Sequence, residues 1–174
     1  MDRLMQPSVY SVAANRVRKY VQSKMDIGAS NQLSNVHHFG VVQACVAESR
    51  RQIVKDLKSQ ASTLTDNESR MKAEVDTFAS WARQFGCGNC AEQSAMAFVQ
   101  LRDVDKVGPL DWMQIDGFAH AFVVLGRIAV TNPENSATWN SEAFVCDPWD
   151  DYAGSAAACS RLRGRKIGLL YRIA

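Results

Sequence analysis

The chain has 174 residues, a net charge of +2, and is 22% charged and 47% hydrophobic. That length fits one domain with its own core, and that composition is globular rather than disordered. The near-neutral balance argues against a nucleic-acid binder or a membrane-surface protein, and no apolar run is long enough to span a bilayer.

The first half reads helical. Tyr10, Ala13, Val17, Tyr20 and Val21 recur at helical spacing. A break rich in Gly, Ser and Asn follows over residues 28–35. His37 and His38 come next, with no partner motif, and read as surface or capping residues. A second helix is expected over about residues 41–59, with Val42, Cys45, Val46, Ile53 and Leu57 on its apolar side. Thr65-Asp-Asn-Glu68 is a capping-box pattern and predicts the start of a third helix. Met71, Val75, Phe78, Ala82 and Phe85 then form one apolar stripe that ends at Gly86. A fourth helix is expected from Cys90, with Ser94, Ala97, Phe98 and Leu101 on one face.

After that the period changes. Residues 119–125 and 143–146 are short apolar runs bounded by turn residues, which suits buried strands. Residues 128–131 are a further strand candidate, 132–136 a loop, 155–160 a short helix or loop, and 167–173 a last strand. Helices first and strands second predict an α+β fold with an antiparallel sheet. The expected division is a helical N-terminal part, 1–75, and a core, 76–174, within one domain. The basic cluster Arg161, Arg163, Arg165 and Lys166 reads as a solvated turn.

The stretch Gln84-Phe-Gly-Cys-Gly-Asn-Cys90 puts a cysteine at a glycine-rich turn before a helix. Backbone N–H groups at a helix start lack intrahelical partners and favour an anion, so a thiolate forms more easily there. His120 opens one predicted strand and Asp147 closes another. If those strands pair antiparallel, the two side chains meet, with Cys90 across from them on the helix tip. The chemistry that follows is a Cys90 nucleophile, His120 as general base and acid, and Asp147 orienting the imidazole. The Cys90 N–H would serve a developing oxyanion, with the Gln84 amide as a second, weaker donor. No cofactor or metal is needed for that chemistry.

The segment Gln84 to Cys90 resembles the active-site segment of papain-like cysteine proteases, in which a glutamine six positions before the nucleophile serves the oxyanion hole. The order Cys, His on a strand, then Asp or Asn is similar as well, although the histidine of papain lies much further along its chain. Gly88-Asn-Cys-Ala-Glu92, His120-Ala-Phe-Val-Val-Leu-Gly126 and Val145-Cys-Asp-Pro-Trp149 resemble a compact bacterial branch with papain-like or transglutaminase-like cores. That branch includes the glutamine deamidase domain of Pasteurella multocida toxin and type III secreted cysteine protease or deamidase effectors. The resemblance covers about residues 80–150. It implies a papain-like core with the cysteine-bearing helix against the sheet, and a thioester route on a host or competitor protein. Deamidation of a target glutamine is the favoured outcome, with proteolysis and transglutamination as alternatives that share the triad. It also implies secretion by a specialised apparatus, action in the target-cell cytoplasm, and a chaperone or immunity protein as a further partner class. The N-terminus lacks the apolar core of a secretory signal, which fits that route and an ordinary cytosolic enzyme equally.

Other readings of the same residues stay open. Cys87-Gly-Asn-Cys90 has the spacing of a dithiol redox motif, and Cys87, Cys90, His120 and Cys146 could make a zinc site. Cys90 and His120 could be core residues, and Asp147 before Pro148 could simply open a turn. Cys87 is expected to pack under the loop. Five cysteines are an odd number for a disulfide framework, so Cys45, Cys146 and Cys159 read as reduced, the first two as core residues. Trp149 reads as a core aromatic in preference to a lid, and Glu92 as the partner of a nearby basic group.

Overall fold

The computed structural model describes residues 8–32 and 39–174. Within them the chain runs through α1 (Val9–Lys24), α2 (Phe39–Gln60), α3 (Asn67–Phe85) and α4 (Cys90–Val99), and then β1 (Leu110–Ile115), β2 (His120–Leu125), β3 (Phe144–Asp147), β4 (Tyr152–Ser155) and β5 (Ile167–Ile173). The helices precede the strands, and every strand pair is antiparallel, in the order β4-β3-β2-β1-β5. The fold is α+β, as the change of hydrophobic period predicts. His37, His38 and the end of the 28–35 break lie outside the described residues.

The helix ends follow local chemistry. Ser8 caps α1 by accepting from the Ser11 N–H at 3.2 Å. The cap of α3 is Asp66 and not Thr65; its carboxylate accepts the Ser69 N–H at 2.8 Å and the Ser69 hydroxyl at 2.6 Å. A charged acceptor at the positive helix end outcompetes the hydroxyl one residue earlier. Gly86 ends α3 at φ +65°, where its N–H reaches the Ala82 carbonyl.

The sheet is buried on both faces. Leu110, Trp112, Val123, Leu125, Cys146 and Tyr171 pack under α1, α3 and α4. Met113, Ile115, Phe122, Val124, Val145 and Ile167 pack on the other face, against Ala143, Ala156, Cys159 and Leu162 from the short connecting segments. Double burial is why β2 reads as an unbroken apolar run. Helix α4 lies in the middle, with eight of its ten residues buried. The indole of Trp112 on β1 donates to Ser94 of α4 at 2.8 Å, so the one polar group on that contact has a partner.

Two strands lack a sequence signal and one expected strand is absent. In β1 the apolar run is interrupted by Asp111, which is 1% exposed. It is neutralised by Arg127 at 2.8 Å and by Arg172 at 2.8 Å, pairings made only by the folded sheet. Strand β4 is short, half-buried and at the sheet edge. Residues 128–131 form a turn instead of a strand, because the buried Arg127 guanidinium donates to the Thr131 carbonyl at 2.9 Å and folds the chain back over itself. Residues 155–160 carry short 3-10 turns, Ala156–Ala158 and Ser160–Leu162.

Helix α2 stands apart from the main core. Its buried Val42 and Val46 pack in a small cluster with Cys87, Cys45 and Phe85. Cys45 is not a reduced core thiol: it forms a disulfide with Cys87, with Cα atoms 6.3 Å apart. An odd cysteine count does not exclude one pair, and pairing depends on Cα spacing that the helix arrangement sets. Cys90, Cys146 and Cys159 are free and buried. No described helix is long and apolar enough to cross a membrane.

The disulfide closes a loop of sequence separation 42, for which chain-entropy arguments give about 3–4 kcal/mol. Cys45→Ser should lower the unfolding free energy read from denaturant titration by that order. Unfolded without reductant, the chain should titrate three thiols, and five after reduction; five before reduction would remove the bond from the structure.

Candidate active site

Cys90 is the first residue of α4 and is 6% exposed. The turn before it is held from several sides. Gly88 donates to the Gly28 carbonyl at 3.1 Å, and Gly28 and Cys87 form an isolated bridge. Asn89 accepts from the Ser30 N–H at 3.0 Å and its hydroxyl at 3.2 Å. Gln93 donates to the Gly88 carbonyl at 2.9 Å. The Cys45–Cys87 bond ties the same turn to α2.

Glu92, fully buried, anchors this turn. It accepts the Asn89 N–H at 2.9 Å and the Arg50 guanidinium of α2 at 2.7 Å. Gly88 must lack a side chain: a Cβ there would sit 2.5 Å from the Glu92 Cβ. The expectation that Glu92 pairs with a basic group holds. Arg50 itself had no sequence signal, since nothing in the spacing of α2 ties it to residue 92. Its guanidinium is held above its ordinary range, first by the hydrogen bond to Glu92.

His120 and Asp147 meet at the strand ends. Strands β2 and β3 pair with Val123 opposite Cys146 and Leu125 opposite Phe144. His120 and Asp147 share the parity of Phe122 and Val145, so they project to one face of the sheet. His120 Nε2 lies 2.5 Å from Asp147 Oδ2, and each residue is 4% exposed. The other Asp147 oxygen accepts the Asp150 N–H at 3.2 Å, so the carboxylate also closes the turn into Pro148. The orienting and turn-forming roles are both present.

The Cys90 thiol donates to the Ala119 carbonyl at 3.2 Å. Ala119 has φ +47°, a region that costs an alanine energy; its carbonyl faces the Cys90 thiol at the start of α4. Burial alone would lower the His120 pKa. Its hydrogen bonds to Asp147 and Cys90, and their negative charges, outweigh burial and raise it to about 9. With Nε2 committed to Asp147, Nδ1 is the nitrogen left for Cys90.

Trp149 is half-buried with its ring 5.2 Å from that of His120, so it walls the imidazole instead of filling the core. Its indole donates to Asn31 at 2.8 Å, and Arg161 lies over its ring 5.7 Å from the centroid. Arg161 also pairs with Asp150, and Arg165 sits 4.4 Å over the Phe118 ring, so these members of the basic cluster are engaged.

The sequence-predicted residues do not all come together. Cys90, His120 and Asp147 do. Gln84 lies exposed on the last turn of α3 and does not line the cavity at Cys90. Because α3 continues through Phe85, residue 84 stays on the helix surface instead of in the turn. Cys87 is bonded to Cys45, so in this state it is neither a redox partner of Cys90 nor a thiolate ligand. Cys146 is fully buried; burial, then the charge of Asp147, pushes its thiol up.

A cavity of about 410 Å³ opens over Cys90 and His120. Ile53 and Val54 of α2, Phe78 of α3, Trp112 of β1 and Leu170 of β5 give it apolar walls, and Arg50 and Glu74 supply charge. The chain matches no family model, and neither a curated protein nor a solved structure is significantly similar to it.

The raised His120 pKa makes its stabilising contribution complete below about pH 6.5, the ordinary histidine value, and lost as pH rises through about 9. Asp147→Asn should bring the imidazole titration down in NMR, since burial then meets less opposition. The stability deficit of that variant should be largest below pH 6.5 and shrink by pH 9. An unchanged titration would remove the pair. Arg50→Ala leaves Glu92 buried without its cation and should cost about 3 kcal/mol. Arg51→Ala, whose side chain is 73% exposed, should cost under about 0.5 kcal/mol by the same denaturation assay.

Proposed function

We propose that the chain is a cysteine-dependent amidohydrolase with a papain-like core, and that its reaction is the deamidation of a protein glutamine. The observation that carries this is Cys90 at a helix start sharing one cavity with His120, whose Nε2 lies 2.5 Å from Asp147 Oδ2. That arrangement has every part the nucleophilic route requires.

The thiol proton moves from Cys90 to His120, whose pKa of about 9 keeps the imidazolium form at neutral pH. The thiolate attacks the carboxamide carbon and a C–S bond forms. The resulting oxyanion is met by the Cys90 N–H at the start of α4, where backbone donors have no intrahelical partner. The C–N bond breaks, and ammonia leaves with the proton from His120. Water then gives a proton to His120 and attacks the thioester carbon. The C–S bond breaks, Cys90 regains its proton, and glutamate is the product. Water is consumed and ammonia released. Asp147 holds the imidazole with Nε2 occupied and offsets the charge that His120 carries.

The same steps on a backbone amide would be proteolysis. The cavity supports a side-chain substrate: about 410 Å³ bounded by three helices and the sheet opens over Cys90 and His120, with room for a carboxamide side chain and a neighbouring group. The Cys45–Cys87 disulfide supports passage through an oxidising compartment, consistent with an exported effector that acts on a host or competitor protein.

The test is mass spectrometry of a eukaryotic lysate treated with wild-type protein or with Cys90→Ala. Glutamine-to-glutamate conversion at defined peptides, with wild type alone, is the expected result. New chain ends with wild type alone would replace deamidation with proteolysis. Conversion that survives in Cys90→Ala, with the fold intact by circular dichroism, would sink the nucleophile. Asp147→Ala should retain a residual rate, reduced by about 10⁴.

A further inference from the structure

The cavity over Cys90 contains a carboxylate with no assigned role. Glu74 is half-buried on α3, one turn before Phe78. Neighbouring acids on that helix are paired: Asp76 bonds Lys72 at 2.6 Å and Arg102 at 2.6 Å. Among the described residues Glu74 has no hydrogen bond or ion pair. Burial is the sole cause of the upward shift of its carboxyl. A carboxylate partly withdrawn from water without a partner loses part of its solvation, and a cation seated beside it in the cavity offsets that loss.

The charges in the cavity are ordered. Arg50 stands at the Cys90 end, tied to Glu92 and reached by the charge of Cys90. Glu74 has no ion pair with Arg50 among the described residues and stands on α3. Ile53, Phe78, Trp112 and Leu170 supply apolar wall in the same cavity. A side chain entering past Cys90 therefore meets hydrocarbon and an unpaired carboxylate. Aliphatic stems with a charged tip suit such a surface, since the stem buries and the tip keeps its charge paired.

We propose that this cavity is a specificity site for a lysine- or arginine-type side chain, with Glu74 taking the cation, and that this residue flanks the attacked amide in the substrate. The proposal rests on Cys90 being the reacting atom. Arginine and lysine share the required chemistry. A glutamate side chain would be repelled, and a norleucine side chain would leave the carboxylate unpaired.

Two measurements separate this proposal from the catalytic reading. In the Cys90→Ala protein, NMR titration should show N-acetyl-lysine methylamide binding about tenfold more tightly than its norleucine counterpart, a modest difference suited to one half-buried ion pair. Glu74→Gln should bring that ratio close to one, and Glu74→Lys should turn the preference toward N-acetyl-glutamate methylamide. In the wild-type protein, lysyl chloromethyl ketone should alkylate Cys90 faster than the norleucyl reagent by a similar ratio. Equal binding of the two amides, or a lysine preference that survives Glu74→Gln in folded protein, overturns the proposal. It does so without touching the catalytic reading if alkylation still slows in His120→Ala. A Glu74-dependent lysine preference, with Cys90 equally inert in wild type and His120→Ala, upholds the pocket and overturns the catalytic reading instead.

Discussion

The buried carboxylate of Glu92 is the constraint on which the site depends. It is fully removed from water, and an isolated charge in that position would cost several kcal/mol. Its partners come from two directions: the backbone of Asn89 at the head of its own helix, and Arg50 from α2. Satisfying it therefore fixes the turn that carries Cys90 and docks α2 in the same step. Gly88 belongs to this constraint, because only a residue without Cβ lets the turn close over Glu92. A cysteine on a loosely held loop would sample many positions. Here the first residue of a buried helix presents the thiol, and the loop before it is pinned by hydrogen bonds and a disulfide.

The partner half of the site comes from sheet register. His120 and Asp147 meet because β2 and β3 run antiparallel with a defined offset, and a shift of one residue would send Asp147 to the opposite face. The left-handed conformation of Ala119 is a local cost at the residue whose carbonyl meets the Cys90 thiol. Trp149 walls the imidazole from the side. One helix and two strands supply the three groups, and the two-sided burial of the sheet keeps the strands from slipping.

Helix α2 has a different status from the rest. Its small hydrophobic cluster is separate from the main core, and it is fastened by a covalent bond, by Arg50 to Glu92, and by the Trp81 indole donating to Asp56 at 2.8 Å. Yet α2 supplies Arg50, Ile53 and Val54 to the cavity above the thiol. Cys90, His120 and Asp147 sit on the core formed by α4 and the sheet, while one wall of the cavity sits on α2.

The sequence by itself determined the helices, the change from helical to strand period, and the candidacy of Cys90, His120 and Asp147. These are local properties: an apolar stripe every three or four residues, a glycine turn before a helix, and an apolar run ending in a polar residue each register within a short window. Tertiary structure decided the rest. Strand β1 was hidden because Asp111 reads as a break until Arg127 and Arg172 neutralise it from elsewhere in the chain. The Cys45–Cys87 bond depends on a distance between two helix-borne positions that no count of cysteines encodes. Gln84 had the right separation from Cys90, but α3 runs one residue past it and leaves it on the helix surface. Arg50 and Glu74 carry no motif at all; they join the site because α2 and α3 pack where they do. Propensity and periodicity act over a turn or two of chain, whereas charge neutralisation and cavity shape are set by residues tens of positions apart, and only the packed fold brings those together.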